Sequence, residues 1–251
     1  MNGSITQDEA QIAATFNSYF VESVWTLTQS TSINSLSVMP VNNNKPIFVI
    51  REISEPKVRM IINSLKNSKA KDVHGLDTMF LKTFNECLSG PITHIVNKSI
   101  NEGVFPRAWK TAIITPIYKT GGPTEVCNYR PISIVPVLTK IIERYIAEQL
   151  TSHLNNSPFK LHPMQFGFRS NHSTETAICF LLENMKSKLD KGGVVGAIFL
   201  DLKKAFDTVD HSVLLSKLSM FNFSPNAIEW MQSYLEGRAQ RVKINGELSS
   251  V

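Results

Sequence analysis

Ala197-Ile198-Phe199-Leu200-Asp201-Leu202-Lys203-Lys204-Ala205-Phe206-Asp207-Thr208-Val209-Asp210-His211 decides how this chain is read. The apolar run from Val194 to Leu200 is expected to form a buried strand that ends on Asp201 and turns at once into the Lys203-to-Asp207 segment. A carboxylate at the end of a buried strand is placed to grip a divalent metal. Backbone N–H groups of the turn that follows, at Lys204 and Ala205, can meet phosphate oxygens. Phe206 adds an aromatic ring five residues after the carboxylate. This arrangement suits a nucleoside triphosphate bound with magnesium. Taken alone, Asp201 is better read as a helix cap, and Phe206 outside this string reads as a core aromatic.

Bulk properties set wide bounds. The 251 residues hold one large domain or two small ones, and a hydrophobic content of 42% supports a packed core. A formal net charge of +5 suits a polyanionic partner without requiring one. No run of five or more basic residues stands out as a tail or an import signal. Cys87, Cys127 and Cys179 are odd in number and widely spaced, which argues against a disulfide framework or a zinc site and for a reducing, intracellular setting. No apolar run approaches the ~20 residues of a membrane span, and the N-terminus lacks a signal-peptide layout.

Periodicity divides the chain. Ile12, Phe16, Tyr19, Phe20 and Val24 predict an amphipathic helix over 8–28, and the Ser-, Thr- and Asn-rich stretch over 29–47 reads as a linker. The main domain is expected to begin near residue 48. Ser54 and Pro56 announce a helix with Val58, Ile61, Ile62 and Leu65 inward. Further helices are expected over 79–87 and 91–102, from Leu138 to Leu150, over 174–189 with Ile178, Leu181, Leu182 and Met185 inward, and near 212–221 and 225–236. Thr111 to Tyr118 reads as a strand. Gln240, Val242 and Ile244 alternate up to Asn245-Gly246, a hairpin signal. The expected class is α+β, with helices outnumbering strands.

Three further clusters carry chemistry. Lys119, at the end of one strand, and Arg130, shortly after a turn in Asn128-Tyr129-Arg130-Pro131-Ile132-Ser133, can project into one cleft. There they would neutralise a triphosphate, with the guanidinium fork suited to paired phosphate contacts. Two surface cations on a solvated hairpin fit the same spacing. In Met164-Gln165-Phe166-Gly167-Phe168-Arg169 a glycine between aromatics permits close backbone approach, and Arg169 can meet a phosphate. A loop with Ser173 or Thr174 capping the next helix fits equally. Lys69-to-Asp77 is best read, residue by residue, as a polar turn around Gly75.

These blocks carry a family resemblance. F-L-D-L-x-K-A-F-D-T-V-D-H resembles motif A of reverse transcriptases, specifically those of LINE-type (non-LTR) retrotransposons. Asn128-to-Ser133 and Pro116-Ile117-Tyr118-Lys119 resemble fingers elements of the same enzymes, with Tyr118 where a proline is more usual. Gln165-to-Arg169 resembles their Q-x-G-F-R block, Lys69-to-Asp77 the start of the fingers, and Ile12-to-Phe20 the connector between endonuclease and polymerase. The resemblance covers roughly 48–251. It implies an incomplete right-hand polymerase fold, fingers plus partial palm, preceded over 1–47 by a helix and linker.

It also implies roles. Asp201 would be a catalytic residue and ligand of Mg2+ or Mn2+. Lys119, Arg130, Lys204, Ala205 and Phe206 would bind the nucleotide, with Phe206 rejecting a 2′-hydroxyl. Gln165, Gly167 and Arg169 would contact template or phosphate. The implied partners are an RNA template, a DNA primer and deoxynucleoside triphosphates, with no membrane, in the nucleus or cytoplasm. The Gly-Pro-Gln-Gly block and Tyr-x-Asp-Asp hairpin of the family are not among these residues. Two-metal transfer needs more than one carboxylate, so no polymerisation is expected from residues 1–251 alone. A non-catalytic RNA-binding remnant or a decayed transposon product are the alternatives. Val194–Leu200 is expected to lack neighbours and to expose an apolar edge.

Overall fold

The computed structural model describes residues 6–29, 46–156 and 161–251, so most of the expected linker lies outside the described residues. In chain order the helices are α1 (Glu9–Gln29), α2 (Glu55–Ser64), α3 (Thr78–Thr83), α4 (Asn85–Glu102), α5 (Thr139–Asn156), α6 (Thr174–Leu189), α7 (His211–Met220) and α8 (Pro225–Leu235). The strands are β1 (Thr111–Tyr118), β2 (Tyr129–Ile134), β3 (Ala239–Ile244) and β4 (Glu247–Leu248). The mixed helix-and-sheet composition matches the α+β expectation.

The sheet runs β2-β1-β3-β4. β1 and β2 form an antiparallel hairpin, with Ile117 opposite Arg130. β1 then pairs in parallel with β3, Ile113 beside Arg241 and Ile114 beside Val242. Asn245 (φ 46°) and Gly246 (φ 114°) make the turn into β4. Both central residues need positive φ there, which is why Asn-Gly signals this hairpin.

Two apolar clusters hold these elements. In the larger, Val58, Ile61 and Ile62 of α2 meet Ile92, Val96 and Ile100 of α4, Ile141, Ile142 and Ile146 of α5, and Ala227 and Trp230 of α8. Trp230 Nε1 donates to Ser99 Oγ at 3.0 Å, so its burial strands no polar group. In the smaller cluster Ala13, Phe16 and Phe20 of α1 lie on Ile114 and Val242, and the Phe16 ring meets Tyr129 edge-on at 4.9 Å. The N-terminal helix thus covers one face of the sheet.

Several local expectations are corrected. One helix, α4, runs where a break before Pro91 was expected. Pro91 withholds the N–H due to Cys87 and costs about 3 kcal/mol. Burial of Ile92, Val96 and Ile100 on one face, about 1.5–3 kcal/mol each, outweighs that. Ser54 occupies the position before α2, but its side chain makes no capping bond. Pro56, in the first turn, has no N–H to offer it. α6 forms where expected and carries a Ser173–Thr176 capping box, yet none of its residues is buried. Ile178, Leu181 and Leu182 are exposed because no described element packs across that stripe.

The Lys69-to-Asp77 segment is a structural turn. Gly75 takes φ 75°, and buried Asp72 organises the rest. Its Oδ1 accepts from the N–H groups of His74 (2.9 Å) and Leu76 (3.0 Å). Its Oδ2 accepts from Val137 N–H at 2.7 Å, tying the turn to the entry of α5. Asp77 caps α3 through Phe80 N–H.

A second polar knot joins α5 to α8. Tyr234 Oη donates to Glu143 Oε1 at 2.6 Å, and the Arg238 guanidinium stacks 4.1 Å from the Tyr234 ring. Burial pushes the Glu143 carboxyl above its usual range, against the Tyr234 hydrogen bond and the charges of Arg238 and Lys140. The Tyr234 hydroxyl is likewise pushed up, first by burial and then by Glu143.

Asp72→Ala strands three N–H groups and should cost about 3 kcal/mol or more of stability in urea unfolding; a loss under about 1 kcal/mol would contradict the role given to Asp72. For Glu143 the raised folded pKa means that its contribution is fully present below the unfolded carboxyl pKa. It is lost as pH rises through the folded value. Glu143→Gln should therefore melt higher than the parent at pH 7, with the gap closing below about pH 4. A variant that melts lower at pH 7 would reverse that sign.

Candidate nucleic-acid interface

The hairpin of β1 and β2 sets the first part of the site. Ile117 stands opposite Arg130, and Lys119 N–H donates to Asn128 O at 2.8 Å. Side chains alternate along a strand, and directly opposed residues share a face. Lys119 and Arg130 therefore stand on the same side of the hairpin, away from α1. Both are exposed, and neither is in an ion pair among the described residues. Between their strands the turn is fastened by Asn128 Nδ2 donating to Gly122 O (2.9 Å) and Tyr129 Oη to Pro123 O (2.8 Å). The spacing in sequence thus becomes one cationic surface.

The motif around Asp201 differs from its expectation. Residues 193–202 form no strand; Ile198, Phe199 and Leu200 are 88%, 83% and 89% exposed. The run has strand-forming residues, but a strand needs a neighbour to satisfy its N–H and C=O groups, and no described segment pairs with it. The expected bare apolar stretch is present. Asp201 is exposed and makes no hydrogen bond or ion pair among the described residues.

Among the described residues no group of three or more His, Cys, Asp or Glu side chains is gathered to hold an ion. A lone exposed carboxylate does not fit a two-metal centre.

The turn after Asp201 is held from outside. Lys204, at φ 50°, directs its ammonium to Ser23 Oγ of α1 and lies 5.7 Å from the Tyr19 ring. Burial lowers its pKa, partly offset by Asp207. Ala205 and Phe206 are exposed beside it. Asp210 caps α7, accepting from Val213 N–H at 3.0 Å.

The Gln165-to-Arg169 loop meets this turn. The Phe168 and Phe206 rings contact edge-to-face at 5.7 Å, and Phe168 holds φ 59°, rare for a bulky residue. Arg169 Nη1 donates to His162 O (3.1 Å) and Gln165 O (3.3 Å), bracing its own loop. Gln165 Nε2 donates to Gly167 O at 3.4 Å. The fold thus brings together Lys119 with Arg130, and Phe206 with Phe168. Asp201 contacts none of them.

Sequence reasoning missed two cations. Parallel pairing sets Arg241 beside Ile113 and leaves Lys243, two residues on, on the same face as Lys119 and Arg130. The alternation Arg241–Val242–Lys243–Ile244 was the available signal, since Val242 is fully buried under α1 and its neighbours must face away.

Comparison with known proteins gives this surface a context. Residues 117–251, more than half of the chain, match the family described as reverse transcriptase (RNA-dependent DNA polymerase). The chain is 36% identical over 200 residues to the RNA-directed DNA polymerase from mobile element jockey of Drosophila melanogaster, covering 78% of this chain and 21% of that protein. It is 31% identical to the probable RNA-directed DNA polymerase from transposon BS (81% and 23%). The identity is also 31% to that from transposon X-element (84% and 22%), both of the same organism. The chain belongs to the reverse transcriptase family, in its LINE-type, non-LTR retrotransposon branch. It spans about a fifth of the length of these relatives.

The exposed state of the Asp201 segment has a direct test. Ile198→Ser with Phe199→Ser should leave the unfolding free energy within about 0.5 kcal/mol while reducing binding of an apolar dye. A loss of about 3 kcal/mol or more would mean a buried strand.

Proposed function

We propose that this chain is the fingers and first part of the palm of a right-hand polymerase that copies RNA into DNA at a primer 3′ end. The observation that carries this reading is the pairing of Ile117 with Arg130, which sets Lys119 and Arg130 on one exposed sheet face. Within the reverse transcriptase match over 117–251, these are the cations that suit the triphosphate of an incoming nucleotide. Phe206 is assigned to the sugar of that nucleotide, and the backbone at Lys204 and Ala205 to its phosphates. Gln165, Gly167 and Arg169 are assigned to the template strand. Asp201 is assigned as the catalytic carboxylate, and it would serve as a ligand of Mg2+ or Mn2+ only beside further carboxylates, which the described residues do not gather around it. The substrates are deoxynucleoside triphosphates, an RNA template and a DNA primer. An A-like hybrid is held through backbone and shape.

A single exposed carboxylate does not assemble a polymerising centre, so residues 1–251 by themselves should bind nucleic acid without extending a primer. Fluorescence anisotropy with a labelled RNA oligonucleotide tests the binding. Affinity should fall steeply with salt, and Arg130→Ala and Arg169→Ala should each flatten the log–log slope by about 0.7. Salt-insensitive or absent binding would refute the interface. Metal-dependent primer extension by this chain would refute the clause on activity.

A further inference from the structure

The sheet face turned away from α1 carries more than the hairpin cations. In the observed register Ile117 lies opposite Arg130 and Thr115 opposite Ile132 on β2, while Lys243 follows the last β1–β3 pair, Ile114 with Val242, by one residue. Arg241 sits one row further in, beside Ile113. The face therefore presents Lys119, Arg130, Arg241 and Lys243 around Ile117 and Ile132, each of the two isoleucines 42% exposed. No Asp or Glu stands among the strand positions of this face. Arg241 Nε donates to Ser249 O at 2.8 Å, which fixes the guanidinium stem without neutralising it. None of the four cations is in an ion pair among the described residues.

Strands about 4.8 Å apart with a rise of about 3.3 Å per residue separate the Arg130 and Lys243 backbones by roughly 12 Å. Flexible side chains on that span can track successive phosphates of one strand, while the isoleucines offer contact to its less polar sugars. Four like charges without an ion-pair partner among the described residues repel one another, so a polyanion laid across them relieves a cost already present in the free protein.

We propose that β3 extends the nucleic-acid interface, with Arg241 and Lys243 gripping the phosphate backbone of a strand that crosses the sheet from β2 to β3. The assignment rests on the polymerase reading above and adds to it a second pair of cations on a different strand. The occupant is a nucleic-acid backbone, because the face joins spaced positive charge to small apolar contacts.

The test is anisotropy of a labelled RNA–DNA hybrid with the full 251-residue chain between 50 and 300 mM salt, on the order of the range in which counter-ion release is read. Arg241→Gln with Lys243→Gln should flatten the log–log slope by about 1.5 and weaken binding about tenfold or more near 100 mM. Lys243→Gln alone should take about half of that change in slope; Lys243 is exposed and makes no side-chain bond among the described residues, so this variant reports even where the double variant folds poorly. Lys98→Gln, on α4 and paired with Glu102, should leave the slope unchanged. Parent-like slopes in both β3 variants, with the parent binding, overturn this inference and leave the polymerase reading intact. Absence of binding by the parent overturns that reading itself. Displacement of the hybrid by poly-glutamate at equal charge would show an acidic-polypeptide surface and also overturn the assignment.

Discussion

The parallel pairing of β1 with β3 is the constraint on which the other features depend. It joins residues 111–114 to residues 239–242, from opposite halves of the chain. Lys110 O accepts from Ala239 N–H at its start, and Lys110 Nζ reaches Glu236 O at 3.0 Å. With β3 in place, Val242 joins Ile114 as one apolar strip, and α1 gains the surface on which Ala13, Phe16 and Phe20 are buried. The same register turns Arg241 and Lys243 to the other side. One ladder thus decides both what is buried and what is presented.

A sheet with one face under α1 and the other partly open separates two kinds of chemistry. The covered face is aromatic and aliphatic, closed by the Phe16–Tyr129 contact. The open face is cationic, and none of its four cations is in an ion pair among the described residues. Lys204 belongs to neither face: its ammonium meets Ser23 and Tyr19 of α1, and this holds it there against the cost of desolvation. The N-terminal helix therefore touches the turn that follows Asp201 as well as the sheet.

Legibility in the sequence followed the range of the interaction. α2 and α5 were readable because their inward residues recur at helical spacing and most of them find partners in one core. The Asn245-Gly246 turn was readable because two positive φ values leave little other choice. α6 was readable as a helix but not as an exposed one, since periodicity names a face and not what lies against it. Pro91 misled because the local rule ignores the burial on either side of it. Motif strings located Lys119, Arg130 and Phe206, yet only the hairpin register put the two cations on one face. The Phe168–Phe206 contact had no signal in either motif.

The sequence by itself determined the family and the approximate positions of most helices, because these depend on local spacing, turn geometry and strings too long to recur by chance. Tertiary structure alone decided that α1 caps the sheet, that Asp72 links a loop to α5, and that β3 adds cations to the face of the β1–β2 hairpin. It also decided that Val194 to Leu200, expected as a strand with a bare edge, forms no strand among the described residues. Each of these outcomes turns on a partner distant in the chain, and hydrogen-bond satisfaction or burial cannot be settled until that partner is present or absent.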